Sequence, residues 1–515
     1  MKRIYFSILF LISSSIIFYS CSKEINGRTD NISALDPANT DSNGGVWKTI
    51  LLTRPDTFIV AAPGAINTPF YTGELNEIKS LQANITSHQK EIVNYWGAGS
   101  VLRWNEIMRE LVAKYNLPPY QNADGSYPTP SAANPFAYPL FPFANPPYAA
   151  RAYAYIAAAQ YDALVAAWHY KKLYKRAAPY VNDGSLNSLL PKSSLPSYPS
   201  EDAVLAGVTA EMMKLFFPTE IGYIEQKVTE AEYARLLAGT NVRSDIVAGE
   251  ALGRAVAKVF VARGRTDNAG KAVGTPSDWA KMETDCAARG ETPWISQESP
   301  KRPPMLCFFG NVKSFILDST TAFSLHPSAP PSTGSQLFAN ETNEILNMTK
   351  NLTRDQIQLV HYWADGAGTY TPPGHWNAIA ADDFIQKKYS ELRWARNMAL
   401  LNISMMDAVI VCWGTKYQYF TPRPSQVNPA IKTVTGLPNF PSYVSGHSTF
   451  SGAAAEILGY IIPEKAAAYN SMAADASISR MYGGLHYRSD CEKGIDAGKK
   501  IGHYAVLRAK TDGAD

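Results

Sequence analysis

Apolar residues in this sequence recur at helical spacing over long stretches, with little of the strict alternation that indicates strands. Alanine, leucine, isoleucine and methionine dominate these stretches. The clearest follows Pro146-Pro147 and predicts a helix from Tyr148 to about Lys172. A stretch rich in proline, tyrosine and asparagine, from about 114 to 148, predicts a long ordered loop before it. The fold class that we predict is all-α.

An internal repeat divides the chain into two related parts. Several side chains return 245 positions later (413 − 168 = 245): Arg151, Asp162, Trp168 and Lys171 return as Arg396, Asp407, Trp413 and Lys416. We therefore predict an internal duplication with two homologous halves, 76–270 and 343–515, and a connector, 271–342. The natural arrangement is a pair of helical bundles packed about a pseudo-twofold axis.

The N-terminus has the pattern of a bacterial lipoprotein signal. Lys2 and Arg3 precede an apolar run, 4–19, that ends at Ser20-Cys21. We predict a signal peptide over 1–20, a lipid on Cys21, and a tether and N-terminal segment over 21–75, flexible to about 45. An uncleaved anchor helix is the alternative reading. No later stretch reads as apolar enough to cross a membrane. The expectation is an exported envelope protein that meets the membrane through its N-terminal lipid only.

Composition and cysteine spacing narrow the possible partners. The formal net charge is +3 and no long basic run occurs, which argues against nucleic acid. Export makes disulfides possible, and Cys286 and Cys307 are the expected pair because they share a loop-like stretch. Cys412 lies in an apolar helical run and reads as a buried free thiol. No Cys/His spacing indicates zinc.

The candidate chemistry lies in three short blocks between Lys416 and Asp490. The blocks are Lys416-x6-Arg423-Pro424, Ser445-Gly446-His447, and Ser479-Arg480-x5-His486-x3-Asp490. Together they supply three cations, two imidazoles, a Ser-Gly turn and one carboxylate. A tetrahedral oxyanion requires such a set: positive charge, directed N–H and O–H donors, and an imidazole to bond the central atom.

In order and internal spacing these blocks resemble the type 2 phosphatidic acid phosphatase (PAP2) and vanadium haloperoxidase superfamily. The bacterial vanadium chloroperoxidase-like branch is the nearest in pattern. The sequence departs from the family at Val444, where proline usually precedes Ser-Gly-His. The resemblance implies two related four-helix bundles, with the anion site in the second.

The resemblance also implies a role for each motif residue. Vanadate, or phosphate in its place, would be held by Lys416, Arg423, Ser445, Gly446 and Arg480. His486 would bond the central atom as its metal ligand, Asp490 would orient His486, and His447 would act as acid and base. The implied reaction is oxidation of a halide by hydrogen peroxide. The alternative is an acid phosphatase that hydrolyses phosphate monoesters through a phosphohistidine at His486.

Several residues keep a second interpretation. His486 and Asp490 are four apart and would share a helix face, which also fits a surface ion pair. Trp413 and Phe440 match aromatic positions of the chloroperoxidase-like branch. The resemblance implies that they line a halide pocket, and the alternative is that they pack in the core. The segment 363–377, Trp363 to Asn377, resembles a stretch in bacterial relatives and is expected at the mouth of the cleft. A surface binding module with a degraded site is a third functional class.

The 245 offset predicts that the first half lacks an oxyanion site. Asp202 stands at the position of His447, Asn241 at that of His486, and Glu201 at that of Gly446. The first half has therefore lost both histidines and gained carboxylates where an anion would lie. We expect it to be structural.

Overall fold

The computed structural model describes residues 32–116, 123, 145–299 and 301–514, and no strand occurs among them. Residues 33–515 form one compact unit. The predicted signal peptide, Cys21 and most of the predicted loop at 114–148 lie outside the described residues. The α-helices, in chain order, are α1 Pro69–Ala83, α2 Ser87–Gly97, α3 Ser100–Tyr115, α4 Pro146–Tyr174, α5 Pro179–Asn182, α6 Glu201–Phe216, α7 Ile221–Leu237, α8 Arg243–Arg265, α9 Pro276–Ala288, α10 Ser319–Ser324, α11 Gln336–Lys350, α12 Arg354–Tyr362, α13 Thr371–Lys387, α14 Glu391–Tyr419, α15 Pro424–Val427, α16 Gly446–Ile461, α17 Ala466–Tyr482 and α18 Arg488–Ala509.

Two long helices, α4 and α14, pack against each other at the centre of the protein. Helix α6 packs on α8, and α16 packs on α18, in two further close pairs. Glycines permit this closeness: a Cβ on Gly498 would lie 2.2 Å from the carbonyl oxygen of Thr449, and one on Gly494 would lie 2.9 Å from that of Ser445. The backbone of α18 therefore lies directly against the start of α16.

Helix bounds and buried ion pairs recur at the 245 offset. Helices α4 and α14, α6 and α16, and α7 and α17 begin and end at positions 245 apart. Arg151 Nε lies 2.7 Å from Asp267 in the first half, and Arg396 Nε lies 2.7 Å from Asp512 in the second. These recurrences support the internal duplication. The superposition of the two halves and their boundaries stay predictions.

Each long central helix binds an extended segment of the chain through one buried aspartate. Asp407 of α14 accepts N–H bonds from Phe315, Ile316 and Leu317 at 2.7, 2.8 and 3.1 Å. Asp162 of α4 does the same for Ile50, Leu51 and Leu52. A carboxylate that satisfies three backbone donors at once fixes the path of a segment that has no helix of its own.

Two expectations about the N-terminal part and the helices need correction. Residues 33–45 are not a flexible tether: Asp41 is 4% exposed, its carboxylate pairs with Arg393, and it accepts the hydroxyl hydrogen bond of Ser390, the N-cap of α14. A later stretch, Glu391–Val427, is long and apolar enough to cross a membrane by length and composition. Of its most apolar window, 94% is buried inside the protein, so core packing accounts for its hydropathy.

The possible disulfide between Cys286 and Cys307 is absent. All four described cysteines are free and buried. Cys286 lies at the end of α9 under the carbonyls of Tyr419 and Phe420, whereas Cys307 lies against the carbonyl of Val273. The two thiols therefore serve different packing contacts. The prediction of Cys412 as a buried free thiol is confirmed.

We predict that Asp407→Asn lowers the thermal stability of the protein. The amide nitrogen cannot accept, so at least one of the three backbone donors loses its partner, at about 1–3 kcal/mol for each donor left buried. The measurement is the unfolding temperature at a fixed scan rate. Asp475→Asn, on the exposed face of α17, is the matched control and should stay near the wild type. Equal unfolding temperatures for the two variants would contradict the role of Asp407.

Candidate active site

The turn before helix α16 forms the floor of the candidate site. Ser445 is the N-cap of α16, and its side chain accepts the Ser448 N–H at 3.3 Å. Gly446 is the first helical residue, so its N–H is among those that a helix leaves without an internal acceptor. The Ser445 N–H donates to the Asp490 carbonyl at 3.0 Å, which joins this turn to the start of α18. The helix N-terminus thus presents free donors and a partial positive charge to the site.

Three cations point at this turn from different elements, and all three are buried. Lys416 of α14 and Arg423, just before α15, are 0% exposed, and Arg480 of α17 is 2% exposed. Burial lowers the pKa of Lys416 to about 7 and the pKa values of Arg423 and Arg480 to about 10 each. These three charges are brought together without enough carboxylates to balance them.

Backbone carbonyls stabilise the three cations. Lys416 Nζ donates to Pro441 and Ser442 at 2.9 and 2.8 Å, and to Val444. Arg423 donates to the carbonyls of Phe440 at 3.0 Å and Leu485 at 2.8 Å. Arg480 donates to that of Trp363 at 3.1 Å. All three N–H groups of Lys416 are therefore in use, and its contribution to an anion is charge rather than a free donor.

His486 is held as a neutral imidazole between a carboxylate and a guanidinium. Its Nδ1 lies 2.9 Å from Asp490 Oδ2, and its Nε2 lies 3.0 Å from Arg423 Nη1. Because arginine only donates, Nε2 is the acceptor and Nδ1 carries the proton. Burial, followed by the charge of Arg423, holds the pKa of His486 well below its ordinary value. The lone pair of Nε2 thus faces the cations, as a ligand or nucleophile requires.

The expected shared helix face of His486 and Asp490 is wrong, although the two residues do meet. His486 precedes α18, and Asp490 is the third residue of that helix. Its carboxylate accepts the Tyr487 N–H at 3.2 Å as part of a capping box. Both residues are nearly fully buried, at 2% and 1% exposure, which excludes a surface ion pair.

His447 is the second imidazole of the site, and it lacks the partners that His486 has. It stands in the first turn of α16, with its Nε2 buried and without a hydrogen-bond partner. Burial, and then the nearby Arg480 charge, hold the pKa of His447 well below its ordinary value. The imidazole is therefore neutral at neutral pH and free to exchange a proton at Nε2.

The donor set fits an oxyanion. Among the described residues, Arg423 Nη2, Arg480 Nε and His447 Nε2 are buried without a hydrogen-bond partner. Unpaired buried guanidinium donors are costly, and an oxyanion would satisfy them. By contrast, within the described ranges no group of three or more His, Cys, Asp or Glu side chains could hold a bare metal ion.

Aromatic rings cover one side of the cations. The rings of Trp413 and Phe440 lie 4.9 Å apart, and Lys416 Nζ lies 5.8 and 5.0 Å from their centres. Trp413 also donates to the Met305 carbonyl at 3.2 Å. The first half repeats the tryptophan as Trp168, with Lys171 at 5.8 Å, which favours packing for Trp413. Phe440 has no such counterpart, because Leu195 stands at its offset position.

The corresponding place in the first half contains the protein's own carboxylates. Lys171 Nζ lies 3.6 Å from Glu201, and Arg235 lies 2.8 Å from Asp202. Asn241, at the position of His486, donates to the Ser197 carbonyl at 2.9 Å. These side chains line a cavity of about 150 Å³. The cations of the first half are thus paired internally, as the 245 offset predicts.

Some contributing residues were not predicted. Ser442 donates to Asp490 and lies 3.4 Å from His486 Nδ1, so it helps to orient both. Its position three residues before the Ser445-Gly446-His447 block was the only available signal. Trp363 reaches the site through its carbonyl, which side-chain chemistry cannot indicate. The segment 363–377 lies beside Arg480 through this carbonyl, and its place at the mouth of the cleft stays a prediction.

Comparison with known proteins agrees with the motif blocks. Residues 397–509 match the family model of the PAP2 superfamily, which confirms the superfamily resemblance for this region. A crystal structure described as the first bacterial vanadium-dependent iodoperoxidase matches with a TM-score of 0.55 and 24% identity, over 70% of this chain and 91% of that one. The all-α fold is therefore confirmed as a fold that this peroxidase shares.

Two further solved structures are similar at lower scores. An apo-type bacterial vanadium-dependent chloroperoxidase matches with a TM-score of 0.48 and 13% identity, over 71% of this chain and 94% of that one. A holo-type structure of such a chloroperoxidase gives 0.47 and 13%, over 74% and 96%. Among curated proteins, none matches this sequence significantly.

We predict that phosphate affinity falls as pH rises above 7, because of Lys416. With a pKa of about 7 in the buried site, the ammonium loses its proton in that range, whereas a bound oxyanion favours the charged form. Phosphate binding must then restore the proton on Lys416, which lowers the affinity by up to about ten-fold for each pH unit. Calorimetric titration in buffers of different ionisation enthalpy measures both affinity and proton uptake.

Lys416→Met and Lys432→Met test whether this lysine is the source. Lys416→Met should bind phosphate more weakly and with a flatter pH dependence, since only the phosphate itself then titrates. Lys432 is exposed, and its replacement should leave the wild-type curve in place. An unchanged slope in Lys416→Met would refute the assignment.

Proposed function

We propose that this chain is a vanadium-dependent haloperoxidase-like enzyme that oxidises a halide with hydrogen peroxide. The observation that carries the proposal is the neutral His486, whose Nε2 faces three buried cations with unpaired donors beside it. The shared fold with a protein described as a vanadium-dependent iodoperoxidase supports it. The proposed cofactor is vanadate, which resembles phosphate in charge and shape.

The residues present can hold a vanadate through complementary contacts. His486 Nε2 would bond the central atom, while Arg423, Arg480 and Lys416 neutralise the oxygens. Ser445 and the Gly446 N–H would donate at the helix N-terminus. Vanadate, when bound, supplies an electrophilic centre that activates hydrogen peroxide toward a halide.

The two histidines have different environments, and we assign them different roles. Asp490 fixes the tautomer of His486 and increases the electron density at Nε2, which suits a bonding role. His447 has no such partner and stands on the opening turn of α16. It would therefore move protons between Nε2 and the substrate oxygen.

A PAP2-type phosphatase is the second candidate. The family match over 397–509 favours it as much as it favours a peroxidase, because both activities use the same charges and the same nucleophilic imidazole. Hydrolysis of a phosphate monoester would proceed through phosphohistidine at His486, with His447 protonating the leaving oxygen. Phe440, which has no aromatic counterpart in the first half, is the residue that we propose to favour a small, weakly hydrated halide over an ester.

The deciding experiment measures two activities on the purified protein, with and without added orthovanadate. A haloperoxidase consumes peroxide only when both vanadate and halide are present, and hydrolyses phosphate esters poorly. Ester hydrolysis that vanadate inhibits, without halide oxidation, would reverse the assignment in favour of the phosphatase. Absence of vanadate and phosphate affinity would support a binding module with a degraded site.

We predict that His486→Ala and His447→Ala fail in different ways. His486→Ala keeps the cations, so vanadate should bind weakly and without a bond to the protein. His447→Ala should keep tight binding of one vanadate per chain and lose about 10²–10⁴-fold in turnover. The measurements are vanadate titration and peroxide turnover, with His361→Ala, in the last turn of α12, as control. A larger loss of vanadate affinity in His447→Ala than in His486→Ala would reverse the two roles.

We also propose that the enzyme is exported and attached to the bacterial envelope through a lipid on Cys21. The charged and apolar N-terminal pattern that ends at Ser20-Cys21 is the support. Cys21→Ala should leave the membrane fraction or remain unprocessed, as judged by fractionation and mass. Cys286→Ala is the control that keeps the signal. Unchanged processing and membrane attachment of Cys21→Ala would argue against lipidation.

A further inference from the structure

A second His–Asp pair lies close to the candidate site and has no role in the proposed reaction so far. His375, the fifth residue of α13, is 6% exposed, and Asp365 is 9% exposed. His375 Nδ1 lies 3.1 Å from each oxygen of the Asp365 carboxylate. A carboxylate held by one ring nitrogen fixes the tautomer and leaves the other nitrogen, Nε2, for proton exchange.

Aromatic and polar contacts hold the pair at a fixed place relative to the site. The His375 ring stacks on the Trp363 indole at 4.4 Å, and its edge meets Tyr362 at 4.8 Å. The Trp363 carbonyl accepts from Arg480 at 3.1 Å. Trp376, next to His375, donates to Ser451 of α16 at 3.0 Å, and α16 is the helix on which His447 stands.

The pair and the site interact electrostatically. A charge on His375 lowers the pKa of His447, and the Asp365 carboxylate opposes the lowering of the Arg480 pKa by burial. The other titratable or charged groups around His375 are Tyr362 of α12, Tyr370, and Arg109 of α3, whose guanidinium lies 5.9 Å from the Tyr370 ring. His375 is thus the titratable imidazole beside His447 that has its own carboxylate.

We propose that His375, oriented by Asp365, is a positioning residue that relays protons to and from His447. The proposal rests on the proposed function, because halide oxidation consumes a proton: H₂O₂ + X⁻ + H⁺ gives HOX + H₂O. His375 would take a proton from solvent at Nε2 and become an imidazolium beside Asp365. It would pass that proton to His447, directly or through water, and His447 would give it to the departing oxygen, so that each imidazole ends neutral. The buried and unpartnered Nε2 of His447 needs such a neighbour.

The test replaces the titrating ring while keeping its hydrogen bond. His375→Asn can still donate to Asp365 but cannot carry a proton. Turnover at neutral pH is expected to fall about 10–100-fold, as when an outer-shell partner of an active-site group is lost. Vanadate affinity should stay within about two-fold, and added imidazole should restore part of the rate. Because rescue by imidazole requires a missing proton carrier, a merely structural role would not produce it.

A matched control and a direct titration complete the experiment. His503→Asn removes an exposed histidine that also faces a carboxylate, Glu456, at 3.5 Å, and it should change nothing. The pKa of His447 is measured from the histidine NMR resonances of the vanadate-free protein as the pH is varied. It should be higher in His375→Asn than in the wild type, because a nearby positive charge has been removed. Full turnover in His375→Asn, a loss of rate without rescue, or an unmoved His447 pKa would each overturn the proposal.

The two proposals can fail separately. If the wild type does not oxidise halide with vanadate present, the proposed function fails. The titration of His447 then still decides whether His375 is coupled to it, and an unmoved pKa counts against the pair. If the wild type is active and His375→Asn is fully active, only the relay fails.

Discussion

Three buried cations around one neutral imidazole are the constraint on which the second half depends. Lys416, Arg423 and Arg480 are nearly inaccessible, and the carboxylate that touches the site directly is Asp490. Buried charge of one sign is costly, and here six backbone carbonyls offset part of that cost. Those carbonyls belong to the segments 440–444, 485 and 363. The irregular segments around the site therefore have a structural reason for their paths.

The first half shows how the same helices can be stable without a site. There, Glu201 and Asp202 pair with Lys171 and Arg235, so the positive charges are balanced inside the chain. The second half has Gly446 and His447 at these two positions and keeps its charges unbalanced. In the proposed function, the oxyanion would offset the unbalanced charge of the second half. The glycine contacts between α16 and α18 hold the backbone of α18 against the turn that begins α16.

The sequence predicted which residues come together at the candidate site better than it predicted the contacts between them. Motif spacing identified both histidines, the three cations and the Ser-Gly turn, because each block is a short local signal. Motif spacing could not indicate that Asp490 contacts His486 across a capping turn, or that Lys416 donates its three N–H groups to carbonyls. Both contacts depend on the path of the backbone. The order of residues 33–45 was missed for a similar reason. Their polar composition suggested a tether, whereas Asp41 and two glycines, Gly44 and Gly45, pack on α14 and α4.

The asymmetry between the two histidines follows from what each can touch. His486 is buried, and His447 is half-buried with its Nε2 covered, near the same cations, so desolvation alone would make both neutral and inert. His486 is bound on both nitrogens, to Asp490 and to Arg423, and so has a defined tautomer and one direction for bonding. His447 has an unpaired Nε2 and lies in the electrostatic reach of His375. The proposed reaction would use one imidazole that bonds an anion and one that exchanges protons, and this chain supplies them from the third and second of its motif blocks.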